Sequence, residues 1–343
     1  MGDAVMCEEC YDSNTRTCEC CGERIWNEDD DGDDNIILCR HCRDNHYTTC
    51  EECGRLIHDD DAYYLDDDSD YPYCHTCYTR FKRKYIHSYS YKPTPVFHGD
   101  GKLFMGVELE IDGGGCDDNN AETLCEIASD SQIYIKTDGS LDEGLEIVTH
   151  PMTLEYHQQT MPWREITSKA VSLGYLSHRT NTCGLHVHVN RTAFGSDRTE
   201  QDVAISRILF FIERFWQEML RFSRRTEYQI NRWAARYGIK DNPKQVMDNA
   251  KSTGKGRYAC INLCNYSTIE FRIFRGTLKY NTLIATLQMV DLICKTAVSL
   301  TDEEMTALSW PEFVMKITEP ELIQYLKERR LYVNEPVTET EEY

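Results

Sequence analysis

The chain has 343 residues, with 37 Lys+Arg against 58 Asp+Glu and a formal net charge of -21. That length predicts two or three domains, and a hydrophobic content of 41% excludes a disordered chain. So acidic a protein is a poor candidate for a sequence-independent grip on DNA or RNA phosphates.

Neither the charge nor the cysteines are evenly spread. Residues 1–80 carry 22 acids and 6 Arg, and 11 of the 17 Cys lie at or before Cys77. The start, Met1 to Cys7, has no basic cluster and no apolar run, so no secretory signal is read there. The longest apolar stretch, Ile208 to Trp216, is broken by Glu213 and is too short to span a bilayer. A cytoplasmic location is expected, and cysteines in a reducing compartment mean metal ligands or buried thiols.

The head contains five C-x2-C pairs: Cys7/Cys10, Cys18/Cys21, Cys39/Cys42, Cys50/Cys53 and Cys74/Cys77. Seventeen residues separate Cys21 from Cys39 and twenty separate Cys53 from Cys74, gaps that suit four-Cys zinc ribbons or treble clefs. Thr17-Cys18-Glu19-Cys20-Cys21-Gly22 repeats as Thr49-Cys50-Glu51-Glu52-Cys53-Gly54 at an offset of 32, the size of one small structural unit. Units this small need Zn2+ to supply folding energy. The repeat pairs Cys18/Cys21 with Cys39/Cys42 and Cys50/Cys53 with Cys74/Cys77. Cys7/Cys10 then looks like the closing half of another repeat, able to bind a third zinc with His41, His46 or Cys20, or to pair with another chain. The rival pairing of Cys7/Cys10 with Cys18/Cys21 leaves Cys74/Cys77 alone. The acidic loops, Asn27 to Asp34 and Asp59 to Asp61, fit docking to a protein partner, and the module is similar to LIM-type and zinc-ribbon adaptors. The alternative is that it only stabilises or solubilises the rest.

Residues 81–100 read as a linker: a basic Lys82-Arg83-Lys84, then tyrosines, then Pro93 and Pro95. Residues 101–300 read as the catalytic body, and 301–343 as C-terminal helices with an acidic tail. In the body, Val107, Leu109 and Ile111 alternate with Glu108, Glu110 and Asp112; alternate strand residues share a face. The pattern recurs at Leu145 to Thr149 around Glu146, at Leu185 to Asn190 around His186 and His188, and at Ile269 to Phe274 around Glu270 and Arg272. Helices are predicted over 121–129, 154–173, 200–222 and 282–300. The expected fold class is α+β: an antiparallel sheet with helices on its aliphatic face and a metal and ATP site on the other. A polar sheet face is ordinary. Glutamate, however, is depleted in strands and like charges opposite one another destabilise, so a face of carboxylates and two His calls for bound metal. The oxygen-rich donor set suits Mg2+ or Mn2+ better than zinc. Arg221, Arg224, Arg225, Arg232 and Arg236 form a basic patch, read either as a solvated face or as a wall holding ATP or an anionic substrate; Lys255 and Arg257 fit the same role. Cys183 and the other body cysteines read as buried thiols.

Five ordered segments carry a family resemblance: Phe104 to Glu110, Lys136 to Leu141, Glu146 to Thr149, Gly184 to Asn190 and Thr268 to Leu278. Between about Leu103 and Leu300 the chain resembles the amidoligase family of bacteria and tailed phages, itself similar to glutamine synthetase and γ-glutamylcysteine ligase. The resemblance implies that Glu108 and Glu110 hold two metals, that Asp138 and Glu146 complete one site, and that His186 and Glu270 are further ligands. It implies that Arg272 contacts the transferred phosphoryl group and that His188 and Asn190 lie beside the nucleotide. Arg225, Arg257, Asn262 and Arg275 are further candidates for ATP contact. Asp138 stands where the synthetases have Glu, which shortens its reach. The implied reaction joins a carboxylate to an amine through an acyl phosphate, on a peptide or a small amino or carboxylic acid, in the host cytoplasm if the gene is a phage's. Two other readings are a zinc-module adaptor with a non-catalytic body and a metal-dependent hydrolase built on His186 and His188.

Overall fold

A computed structural model describes residues 7–64, 70–82, 85–129, 131–254 and 256–332. Arg83 and Lys84 of the basic run, Lys255 and the acidic tail from 333 onward lie outside the described residues. The chain divides into two compact units, residues 1–84 and 85–343.

The first unit repeats one motif. A short helix capped by a cysteine, α1 (Glu8–Asn14), leads into the hairpin β1 (Thr15–Thr17) and β2 (Arg24–Trp26). Helix α2 (Arg40–His46), capped by Cys39, leads in the same way into β3 (Tyr47–Thr49) and β4 (Leu56–His58), and α3 (His75–Lys82) follows Cys74. Each hairpin turns on a C-x2-C knuckle. Gly22 and Gly54 sit there at φ 76° and 73° and donate their N–H to Cys18 O and Cys50 O, a left-handed position that glycine takes without steric cost. Part of the acidic loop is structural. Asp30 accepts from Gly32 N and Leu38 N and pairs with Arg16, while Asp33 accepts from Leu56 N in the next hairpin.

The second unit is built on a seven-stranded sheet. Its strands are β5 (Ile86–His87), β6 (Met105–Ile111), β7 (Ile133–Lys136), β8 (Leu145–Thr149), β9 (Gly184–Asn190), β10 (Ile261–Asn262) and β11 (Thr268–Arg275), ordered β10-β11-β9-β6-β8-β7-β5. Every pairing is antiparallel except β5 with β7, which is parallel. The stretch read as a linker therefore supplies an edge strand. It is held further by Val96 N on His150 and by the stacked rings of His87 and Tyr91.

The aliphatic faces of β6, β7, β8, β9 and β11 lie in one continuous core, with Val107, Leu109, Ile135, Ile147, Val187 and Phe271 fully buried. That core also takes residues of α4 (Asp118–Ile127), α5 (Leu154–Gln159), α6 (Trp163–Ser172), α7 (Arg198–Arg214), α8 (Trp216–Ser223), α9 (Glu227–Trp233) and α10 (Pro243–Ser252). Helices α11 (Tyr280–Ser299), α12 (Asp302–Ala307), α13 (Trp310–Val314) and α14 (Pro320–Glu328) complete it, burying Trp310, Phe313 and Leu322. Two predicted helices are broken in two. Pro162, which has no N–H to donate and clashes with the preceding turn, separates α5 from α6. A turn at Phe215 separates α7 from α8. Among the described residues, α11 alone is long and apolar enough to cross a membrane, and it is largely buried inside the fold. Of the body cysteines, Cys125, Cys183, Cys260 and Cys294 are buried, but Cys116 and Cys264 are exposed.

Candidate active site

Strand register assembles the polar face. Glu110 is opposite Glu146, which is opposite Lys136; Glu108 is opposite His186; Glu270 is opposite His188 on one side and Asn262 on the other. Gly106, opposite His188, presents no side chain to this face.

Three groups of donors result, each with ligand atoms within 4.8 Å of one another: Glu108, Glu146 and His186; Glu108, His188 and Glu270; and Glu110, Asp138 and Glu146. Glu108 and Glu146 each belong to two groups, so the three form one continuous cluster. His186 Nδ1 is 3.5 Å from Glu108 Oε2 and 3.7 Å from Glu270 Oε1, and His188 Nε2 is 3.3 Å from Glu108 Oε1. Both nitrogens are buried and neither has a hydrogen-bond partner. Imidazole nitrogens that stand 3.3–3.7 Å from carboxylate oxygens without a hydrogen bond between them fit a cation held there. The carboxylate-dominated donor set fits Mg2+ or Mn2+.

Electrostatics distinguish the acids. Burial would raise the Glu108 carboxyl, but the charge of His188 and the contacts with both histidines hold it well below the usual carboxylate range. Glu270 is also lowered: burial opposes this, and His188, His186 and Arg272 outweigh it. Glu146 goes the other way, pushed up to about 8 by burial and the nearby Glu108, with Lys136 only partly offsetting them. Burial lowers His188, but Glu108 dominates and raises it to about 9.

Other expected residues are placed as follows. Arg272 Nη1 ion-pairs with Glu270 Oε1 and leaves its Nε without a partner. Asn262 Nδ2 donates to Glu270 Oε2 at 2.6 Å. Asp138 caps its own turn, accepting from Ser140 N at 2.7 Å. Asn190 has a tethering role: its amide accepts from Phe104 N and donates to Lys102 O and Thr192, holding the entry to β6. Arg257 donates to the hydroxyls of Tyr89 and Tyr258, and the Tyr89 ring lies 5.6 Å from Lys136 Nζ. Arg225 and Arg275 line a neighbouring pocket. The basic patch does not stay together, since Arg236 pairs with the buried Glu213.

Sequence reasoning assigned no role to four contributors. Lys136 lies 2.9 Å from Glu146 and comes from a strand of only four residues, too short to show a period. Asn265 Nδ2 lies 3.4 Å from Glu270 Oε2, and buried Arg191 holds that loop by three backbone carbonyls. Gly184 donates its N–H to Glu110 Oε2, and its lack of a side chain admits Arg225 and His186.

In the first unit the thiols gather as Cys18, Cys21, Cys39, Cys42 and as Cys50, Cys53, Cys74, Cys77. Cys21 Sγ and Cys39 Sγ are 3.9 Å apart, as are Cys53 Sγ and Cys74 Sγ. Two thiolates on one tetrahedral zinc at ~2.3 Å stand about 3.8 Å apart, so both sets fit Zn2+. Burial opposes the Cys18 and Cys50 thiolates, but backbone N–H groups turned on each sulfur outweigh it and bring both down to about 6. Cys7 and Cys10 are exposed at the start of α1 and join neither set.

A sheet that gathers carboxylates, two imidazoles and an arginine on its polar face fits a ligase-type body. The model of a family described as "Putative amidoligase enzyme" matches residues 118–293, just over half of the chain, and the chain belongs to that amidoligase family. The match takes in Asp138, Glu146, both histidines, Glu270 and Arg272, but starts after β6 and so leaves out Glu108 and Glu110. No curated protein matches the chain. Among solved structures it is similar to a bifunctional glutathione synthetase from Pasteurella multocida, at 13% identity and a TM-score of 0.37, over 66% of this chain and 46% of that one. A structure described as "Apo GmaS without ligand" gives 11% identity and a TM-score of 0.32, over 67% of this chain and 64% of that one. The chain thus spans less than two thirds of either, and likeness at this level bears on no mechanistic point.

Proposed function

We propose that the body is an ATP-dependent ligase that joins a carboxylic acid to an amine through an acyl phosphate. The observation that carries this reading is the pair of buried, unpartnered nitrogens, His186 Nδ1 and His188 Nε2, facing a continuous cluster of carboxylates beside a free edge of Arg272.

Glu108, Glu110, Asp138, Glu146, His186 and Glu270 would hold the divalent cations, with His188 shared between the metal and nucleotide sides. Bound Mg2+ or Mn2+ supplies neutralisation of the triphosphate charge. The chain's own groups do the rest. Arg272, oriented by its pair with Glu270, turns a guanidinium toward the γ-phosphoryl group, where charge grows during transfer. Asn262 and Asn265 hold the other Glu270 oxygen and so fix the angle of that pair. A carboxylate oxygen of the acid substrate attacks the γ-phosphorus, and the bond to ADP breaks. The amine nitrogen then attacks the acyl carbon, loses a proton and expels phosphate. No nucleophilic side chain is required: burial pushes the Cys183 thiol up to about 12, which keeps it from acting as one.

The test is ADP release by the full chain. It is expected to need Mg2+ or Mn2+ together with both an acid and an amine. ATP binding that survives Glu270→Ala combined with Arg272→Ala would sink this site assignment. Metal-dependent amide cleavage without ATP would favour a hydrolase instead.

A further inference from the structure

Next to the carboxylate–histidine cluster lies a pocket of about 500 Å3 lined by Arg221, Arg224, Arg225, Arg275, Arg329 and His178, with no acid lining it among the described residues. We infer that this pocket binds a second anionic group of the acid substrate, and that the substrate is a compact polyacid: a di- or tricarboxylate or a phosphorylated carboxylic acid. The inference rests on the ligase reading and deepens it.

Five guanidinium groups in one concavity repel one another, so the arrangement needs an anion to offset it. The donors are available. Arg224 Nε and Nη2 and Arg275 Nε are buried without hydrogen-bond partners, although a buried unpaired donor is costly. Arg224 also takes a left-handed backbone at φ 61°, a position disfavoured for a residue with a side chain. Burial first, then the charges of Arg224, Arg179 and Arg275, lower His178 below its ordinary value, as a strongly positive pocket should.

The pocket joins the reacting end through Arg225. This side chain is buried, its Nε donates to Phe274 O, and burial, partly offset by Glu110, lowers it to about 10. A Cβ placed on Gly184 would lie 2.5 Å from Arg225 Nη2, 2.7 Å from His186 Nε2 and 3.3 Å from Glu110 Oε2. One guanidinium therefore borders both the cation cluster and the arginine pocket. An acid could present one carboxylate to the cluster and hold another anionic group among Arg224, Arg275 and Arg329. The lining favours a compact anion over a nucleobase, since among the described residues its one aliphatic side chain is Leu220 and none is Phe, Tyr or Trp. Arg329 follows α14 and lies beyond the 118–293 span of the family match.

The test is calorimetric titration of the zinc-loaded full chain, at fixed ionic strength and without Mg2+, using acetate, succinate, propane-1,2,3-tricarboxylate and inorganic phosphate. The tricarboxylate is expected to bind tighter than acetate by about ten-fold or more, and Arg224→Gln with Arg329→Gln to weaken it by at least about ten-fold, the range for charge-assisted hydrogen bonds. Equal binding of acetate, or unchanged binding by a folded double variant, overturns the inference. So does displacement of the tricarboxylate by β,γ-methylene-ATP with Mg2+, which would make the pocket a nucleotide phosphate site. A separate titration with that analogue and Mg2+ reads the ligase assignment alone: if it fails to bind while the tricarboxylate does, the ligase reading falls and the anion pocket stands.

Discussion

Glu110 and Glu146 stand directly opposite one another on adjacent antiparallel strands, and both are buried. Opposed like charges destabilise a sheet, and here the cost is met by a proton on Glu146, whose carboxyl is pushed up to about 8 by burial and Glu108. The folded state keeps that proton above the ordinary 4.5, where an unfolded chain has released it. Its contribution is full below 4.5 and is lost as pH rises toward about 8. His188 adds a loss of the same sign between 6.5 and about 9. Protein without Mg2+ or Mn2+ should therefore lose thermal stability as pH rises through neutrality, and Mg2+ should restore it. Glu146→Gln should raise the metal-free stability by on the order of 1 kcal/mol at pH above 7 while weakening Mn2+ binding. Melting midpoints across the pH range check this; a midpoint that climbs with pH in metal-free buffer would refute it.

Arg272 is expected to act in transfer more than in ground-state binding, because its guanidinium is anchored by Glu270 and keeps a buried Nε without a partner. Arg272→Ala should lower kcat for ADP release by about 10²–10³, the usual loss for one preorganised donor at a developing charge. The KM for ATP should change far less. Arg272→Lys should recover only part of the rate, since an ammonium cannot reproduce the paired fork. A kcat within a few-fold of the unmodified protein would remove Arg272 from the transfer step.

The zinc unit should bind two Zn2+ per chain, measured by elemental analysis. Cys18→Ser should remove one equivalent and Cys50→Ser the other, because the two thiol sets share no residue. Cys7→Ser with Cys10→Ser should leave both. Each structural zinc can contribute apparent folding energy of about 10–16 kcal/mol at neutral pH, so chelation should erase the hairpins β1–β2 and β3–β4 and leave the melting of the larger unit in place. Zinc uptake should release protons, since burial pushes the Cys77 thiol up to about 12, so uptake should weaken as pH falls and do so more steeply below about 6, where Cys18 and Cys50 regain their protons. A third equivalent lost with Cys7 and Cys10 would show that those thiols also hold metal.

What could be read from the chain follows the length of each element. Strands β6, β8, β9 and β11 have five to eight residues, enough for alternation to show which side chains share a face. That exposed Glu108, Glu110, Glu146, His186, His188, Glu270 and Arg272 as one row. The two-residue β5 and four-residue β7 carry no such pattern, so the pairing of Lys136 with Glu146 and the edge strand stayed hidden. Register was also beyond reach: that Glu110 meets Glu146, and not Val148, depends on pairing between strands far apart in the chain. The arginine pocket was half visible. Arg221, Arg224 and Arg225 form a local cluster, but His178, Arg275 and Arg329 come from three distant segments with no shared local signal. The knuckle repeat was readable because four thiols around one ion impose a fixed spacing.

Gly184 offers the sharpest test of the close packing behind the cluster. Its backbone N–H donates to Glu110, and an added methyl would fall within 2.5 Å of Arg225 Nη2 and 2.7 Å of His186 Nε2. Real Cβ atoms do not approach so near, so one side chain must swing away. Either movement breaks the geometry at the junction of the cation cluster and the arginine pocket. The backbone here is an ordinary strand opposite Arg275, so Gly184→Ala should fold and keep its two zincs. Its Mn2+ affinity should fall by about 10–100-fold, the usual cost of disturbing groups that orient metal ligands. ADP release should fall with it, and a second change that shortens Arg225, Arg225→Lys, should return part of the metal affinity by freeing space for His186. Unaltered Mn2+ binding by a folded Gly184→Ala protein would mean that His186 is not held where the cation sits.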